Sequence, residues 1–291
     1  FIFDNEGSSS ALIFEYIKSG KLELAYAMYE KLYKDNPMEP TTLALLNACA
    51  KFKEIGIGSH LHRIVDRAGL LKTSHFVGSA LVDMYTKCGS ISKAQGVFDE
   101  LPIRDVVSWT SLMSGYVKHD HSEQVLQFFQ EMQIQGIYPN ALTYVCFLKA
   151  CGSLGAIEKG KELHAHLERK GLWEKEPILG NALVDMYVKC GCLTNAQQVF
   201  DKIPSLRSME TWTSLIAGYV ELGNGEKAIY YLEKMQQEGL FMDDVVYVCV
   251  LRACDNPGYE SKGQEIHDEI VRKELLEKDV IVGSALVDMY T

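Results

Sequence analysis

The sequence predicts an all-α, right-handed solenoid of helix–turn–helix hairpins, and three observations predict it. Residues 78–102, GSALVDMYTKCGSISKAQGVFDELP, return at 180–204 as GNALVDMYVKCGCLTNAQQVFDKIP, with 16 of 25 positions identical after a shift of 102. A further copy opens at Gly283 as GSALVDMYT, nine of nine identical to residues 78–86. Within each copy the apolar residues recur at helical spacing, and no stretch shows the alternation of a strand. Self-similarity at a period of 31 to 36 residues is the mark of a stacked array, in which each unit buries its apolar face only against its neighbours.

Each unit reads as two helices. In the unit at 75–105, Ala80, Leu81, Met84, Tyr85 and Cys88 share one face of a first helix. Gly89 stops that helix in the left-handed region. Ala94, Val97, Phe98 and Leu101 then mark a second helix that Pro102 closes. Three unit types alternate. The first occupies 6–38, 106–140 and 209–243, the second 39–74, 141–176 and 244–279, and the third 75–105, 177–208 and, cut short, 280–291. The first helix of each unit is expected to line an inner wall. A start at Phe1 and an end at Thr291 inside a repeat copy read as a fragment of a longer protein.

A formal charge of −10, from 29 basic and 39 acidic side chains, argues against a sequence-indifferent binder of polyanions. It leaves room for a groove whose field is set by nearby groups. No run approaches the length of a membrane span. Of the eight cysteines, Cys49, Cys151 and Cys254 recur at 102 and 103 residues, as do the pairs Cys88/Cys190 and Cys146/Cys249. No CxxC occurs, so they read as buried small hydrophobes in reducing surroundings rather than as disulfides or metal ligands. His62, His164 and His267 recur in the same way without consistent partners in their own units and read as structural. His60 with His62, and His164 with His166, are i, i+2 pairs on different helix faces, poor for chelation. Trp109 and Trp212, seven residues before Tyr116 and Tyr219, read as core between helices rather than as stacking platforms. No zinc-deaminase signature, phosphate-binding glycine loop or nucleophile elbow is present, so neither a catalytic residue nor a cofactor or metal is expected.

Tetratricopeptide repeats have similar hairpins, and Ala94 to Phe98 and Ala196 to Phe200 fit their Ala-x3-Phe element; the first helices do not fit. The stretches DVVSWTSLMSGYVK, LVDMYTKCGSISKAQGVFDELPIRD and LKACGSLGAIEKGKELHAHLERKGL instead resemble plant pentatricopeptide repeats with alternating P, L and S motifs, over nearly the whole chain. That resemblance implies sequence-specific binding of single-stranded RNA, one base per unit, chosen by the fifth and last residues of the unit. On this chain those pairs are Ser79 with Asp105 (guanine), Thr110 with Asn140 (adenine), Asn181 with Ser208 (cytosine) and Thr213 with Asp243 (guanine). An apolar residue at position 2 packs against the base, which points to Val107, Leu142 and Val245. The L units carry Leu43, Val145 and Val248 at position five and are expected to accept any base, giving a core of 5′-GANCG-3′. Ser10, with an ambiguous last residue, is left unread. Glu210 stands where an apolar residue is expected, Pro177 opens a unit normally opened by a β-branched residue, and Ser208 follows a one-residue insertion.

Lys18, Lys51, Lys87, Lys118 and Lys189 recur at position 13 and are expected to meet phosphates, with Glu221 and Asn256 breaking the stripe. A solvated helix end, where lysine suits the dipole, is the plainer reading of the same residues. The resemblance further implies an organellar protein, mitochondrial or chloroplast, whose partners are organellar RNA and editing-complex proteins. Catalysis would lie in a later domain or a partner. A peptide-binding scaffold of the tetratricopeptide kind is the alternative.

Overall fold

The computed structural model describes residues 4–291 except 174, 204–206, 255–257 and 278, and side chains from residue 10 onward except that of residue 277. Pro204 and Asn256 lie outside the described residues. The chain divides into two compact units, 1–147 and 148–291. Among the described residues every regular element is helical.

The first unit holds α1 (Asp4–Lys18), α2 (Leu22–Tyr33), α3 (Glu39–Phe52), α4 (Ile55–Arg67), α5 (Leu70–Thr73), α6 (His75–Lys87), α7 (Ile91–Glu100), α8 (Val106–Lys118) and α9 (Ser122–Ile134). Helix α10 (Ala141–Leu154) contains the division. The second unit continues with α11 (Ile157–Arg169), α12 (Pro177–Lys189), α13 (Leu193–Lys202), α14 (Met209–Glu221), α15 (Gly225–Gln237), α16 (Asp244–Cys254), α17 (Glu260–Arg272), a 3-10 turn (Leu275–Glu277) and α18 (Val280–Tyr290). In the first unit α1, α3, α6 and α8 pack on their own second helices, and α1 packs on α3, α3 on α6 and α6 on α8; in the second unit α12, α14 and α16 pack on theirs, and α12 packs on α14, α14 on α16 and α16 on α18. This is the solenoid expected from the repeats.

The turn inside a hairpin has a simple cause. After α6, Gly89 takes φ +79° and Ser90 donates its N–H back to the Tyr85 carbonyl at 2.8 Å, closing a left-handed C-cap. Gly191 repeats this at φ +71°, and Lys53 and Asp120 occupy the same place with φ +59°. Among the described residues two departures from a plain two-helix unit occur, both in the long second-type unit. Four residues fold as α5 in one copy and three as a 3-10 turn in another. Gly69, at φ +67°, follows the end of α4, and the short helix after it buries Leu71.

The core between hairpins is aromatic. Trp109 is fully buried and meets Phe98 edge-on at 4.7 Å between ring centroids; Trp212 and Phe200 do the same at 4.6 Å. The tryptophans are therefore core. All eight cysteines are free thiols. Burial pushes the thiols of Cys49 and Cys151 up to about 12, too high for a reactive thiolate at neutral pH. Among the described residues no helix is long and apolar enough to cross a membrane, and no three His, Cys, Asp or Glu side chains group as a metal site.

Candidate nucleic-acid interface

The last residue of one repeat unit is the N-cap of the next first helix, and this places the expected base-reading side chains. Asp105 caps α8, its Oδ1 accepting the Ser108 N–H at 2.8 Å. Asn140 Oδ1 accepts the Thr143 N–H at 2.9 Å at the start of α10, and Asp243 Oδ1 accepts the Val246 N–H at 2.9 Å at the start of α16. Ser208 caps α14 through its hydroxyl, 3.3 Å from the Thr211 nitrogen. Capping uses one polar atom and leaves a second: Oδ2 of each aspartate, the Nδ2 amide of Asn140.

The fifth residue lies one turn into the preceding first helix. Ser79 Oγ is within hydrogen-bond reach of the His75 carbonyl at 3.0 Å and of Asp105 Oδ1 at 2.8 Å. Thr110 Oγ1 lies 2.7 Å from the Val106 carbonyl and 2.8 Å from Thr143 Oγ1, which is itself 2.9 Å from Asn140 Oδ1. Two of the four pairs are thus joined into hydrogen-bonded clusters. Ser79 and Thr110 are only 4% and 8% exposed, so they form the floor of the seam between neighbouring first helices, with the exposed or half-exposed last residue at its rim. Thr213 is half-buried and donates to the Met209 carbonyl at 3.1 Å. Asn181 is half-buried, with its Oδ1 enclosed and without a partner. No direct bond joins Thr213 to Asp243 or Asn181 to Ser208. Of the unread N-terminal unit, Ser10 is taken up by the Tyr33 hydroxyl at 2.8 Å.

The second residue is exposed although apolar in unit after unit. Val107, Leu142 and Val245 are 51%, 53% and 55% exposed. Phe76, Ile178 and Ile281, not singled out from the sequence, share the position and are 39% to 67% exposed. Their signal was present in the register, since they follow His75, Pro177 and Val280 as Val107 follows Val106. Exposed apolar side chains recurring at one register position are what a surface for stacking bases would require. Glu210 interrupts the row and is exposed. Hydrogen bonds from its own main-chain N–H and from Ser208 hold its carboxyl below the usual range.

The position-13 lysines are all exposed at helix ends. Lys87 pairs with Asp83 at 2.7 Å and Lys189 with Asp185 at 2.9 Å, both one helical turn back. No such ion pair forms at Lys18, Lys51 or Lys118 among the described residues. The recurrent histidines do have partners, in the first helix of the following hairpin. His62 Nδ1 meets the Tyr85 hydroxyl at 3.0 Å, His164 meets Tyr187 at 2.8 Å and His267 meets Tyr290 at 2.9 Å.

Models of the PPR repeat match residues 79–106, 181–207 and 210–240, and a PPR repeat family model matches 104–153. A chloroplastic pentatricopeptide repeat-containing protein of Arabidopsis thaliana is 38% identical over 254 residues, covering 87% of this chain and 40% of its own length. A second Arabidopsis thaliana protein of that name is 35% identical over 269 residues, covering 90% of this chain and 37% of its own. The chain belongs to the pentatricopeptide repeat family. It spans about two fifths of the length of these relatives. Its fold matches that of the pentatricopeptide repeat protein PPR10, solved in complex with an 18-nt psaJ RNA element, with a TM-score of 0.72 over 97% of this chain and 47% of that one at 15% identity.

Proposed function

We propose that this pentatricopeptide repeat chain binds single-stranded RNA with one base per unit, reading 5′-GANCG-3′ from its N-terminal to its C-terminal side. The observation that carries the reading is the repeated juxtaposition of an exposed apolar residue at position 2 with a polar pair at positions five and last. A base can lie against the first and present its Watson–Crick edge to the second. The fold it shares with a repeat protein solved on an RNA element points the same way.

Donor and acceptor chemistry supports the individual bases. Ser79 has its proton within reach of His75 and Asp105, so that pair offers two acceptors, matching the N1–H and N2–H donors of guanine. Thr213 and Asp243 offer the same set. Thr110 and Asn140 offer an acceptor and a donor, matching the amino group and N1 of adenine. Asn181 has its Oδ1 enclosed, which leaves Nδ2 to donate to N3 or O2 of cytosine. Leu43, Val145 and Val248 offer nothing to a base edge, and the L positions accept any nucleotide.

The alternation of unit types supports reading the chain as one of the plant class with P, L and S motifs. We assign it to an organellar factor that directs editing or processing of a transcript, in keeping with chloroplastic and mitochondrial relatives. Binding of uridine-flanked RNA carrying GAUCG is the test. Replacing the A and the second G by pyrimidines should weaken binding by ~10-fold or more, at a discrimination of roughly 1–3 kcal/mol per paired edge. Thr110→Asn with Asn140→Asp should move the second position from A toward U. Equal affinity for all these RNAs would remove the base code.

A further inference from the structure

We propose that Thr143, which belongs to the repeat after the one it serves, is a positioning residue that makes the Thr110–Asn140 pair select adenine. The inference rests on the base-reading function proposed above. Asn140 differs from Asp105 and Asp243 in being neutral and in having two unlike terminal atoms, one accepting and one donating. Which of them meets a base depends on how the amide is turned, and Asn140 is an exposed side chain.

Its hydrogen bonds run to Thr143. The Thr143 N–H and hydroxyl both reach Asn140 Oδ1 at 2.9 Å, and the Asn140 N–H donates to Thr143 Oγ1 at 3.2 Å. Turning the amide over would set its N–H₂ against the Thr143 N–H, donor against donor. Oδ1 therefore stays inward and Nδ2 points away from the helix end.

Thr143 also fixes what Thr110 can offer. Its fully buried hydroxyl lies 2.8 Å from Thr110 Oγ1, which lies 2.7 Å from the Val106 carbonyl. Two hydroxyl protons serve this chain of contacts. If Thr110 donates to Val106, Thr143 donates to Thr110 or to Asn140; if Thr110 donates to Thr143, Thr143 donates to Asn140. In none of these arrangements does Thr110 keep a proton for a ligand, so it meets a base as an acceptor. An acceptor beside a donor complements adenine and opposes guanine at both atoms.

The other pairs supply the contrast. Behind Asp243 the equivalent residue is Val246, with no hydroxyl, and a carboxylate with two like oxygens needs no orienting. Behind Asp105 stands Ser108, but its hydroxyl donates to the Asp105 main-chain carbonyl at 2.9 Å. Behind Ser208 the hydroxyl of Thr211 does lie 2.9 Å from the reading side chain, but Ser208 has a single polar atom and nothing to orient. Asn140 alone of the four last residues is an amide, with unlike atoms to set.

The experiment measures affinities of the full 291-residue chain for uridine-flanked GAUCG, GGUCG and AAUCG. Wild type should prefer GAUCG to GGUCG, and Asn140→Asp should reverse this. Thr143→Val, which keeps the buried volume, should cut the A-over-G preference at the second position by about fivefold, the worth of one hydrogen bond. Thr143→Ser should restore it. The preference for GAUCG over AAUCG, read at Ser79 and Asp105, should be unchanged in both variants, which a general loss of folding would not allow. An undiminished second-position preference in folded Thr143→Val, alongside a selective wild type, overturns the role of Thr143 alone. A wild type that does not distinguish GAUCG from GGUCG overturns the base reading and this inference with it.

Discussion

At the scale of the residue, the surface proposed to face RNA consists of atoms left over once each first helix is capped. Glu210 shows what one wrong atom does to such a surface. It occupies the place where Val107, Leu142 and Val245 stand exposed, and its carboxyl, held below the usual range by the N–H and hydroxyl bonds it accepts, is charged at neutral pH. A base stacked there would meet a hydrated anion, and the Ser208 hydroxyl bonded to that anion is diverted from the cytosine position. Glu210→Val should therefore tighten binding of GAUCG RNA by about fivefold, a modest share of the worth of one stacked base. It should also sharpen the choice of cytosine at the fourth base. Titration against RNAs that differ only at that base checks both; weaker binding by the variant would mean that Glu210 contacts the RNA favourably.

At the scale of the element, neighbouring hairpins are clasped by a histidine of one second helix and a tyrosine of the next first helix. Burial is the largest influence on His62 and His164 and pushes both below the usual histidine range. Asp66 and Glu100 oppose it at His62 while Lys93 adds to it; Glu168 opposes and Lys202 adds to it at His164. A histidine that resists protonation when folded binds more protons when unfolded, so stability is full above the unfolded value of about 6.5 and declines as pH falls through it. The midpoint of thermal unfolding should drop between pH 7.5 and 5.5, and the His62→Gln, His164→Gln double variant should drop less. Parallel pH profiles for the two proteins would reject the clasp as the source. These clasps were legible in the sequence, because each histidine stands 23 residues before its tyrosine. A search for partners within one unit passes over them, since in a solenoid the partner belongs to the neighbour. The hairpins themselves were legible for the complementary reason: each repeats the same apolar spacing, turn and cap. The direction of the hydroxyl protons around Thr143 was not, because it depends on a helix start brought against another helix by folding.

At the scale of the whole molecule, the proposed function requires a chain of net charge −10 to attract a polyanion. Affinity for single-stranded RNA rises with each phosphate neutralised, and a site in which carboxylates already neutralise the lysines gives up part of that term. Lys87 and Lys189, read singly along the sequence, looked like free cations. The repeated VDMY motif sets Asp83 and Asp185 one turn before them, and the ammonium groups lie 2.7 and 2.9 Å from those carboxylates. Such exposed pairs stabilise a fold by only about 0–1 kcal/mol, so their loss should hardly affect folding. Their effect on RNA should be larger, since a phosphate must compete with a carboxylate already in place. Asp83→Asn with Asp185→Asn should thus strengthen binding and steepen the decline of log K with log salt by roughly 0.7 for each phosphate newly neutralised. It should do so equally for GAUCG and GGUCG, because phosphate contacts carry no base information. Affinities of both RNAs across a salt series decide it. A steeper slope with an unchanged ratio places these lysines on the backbone; an unchanged slope returns them to the solvated ends of their helices.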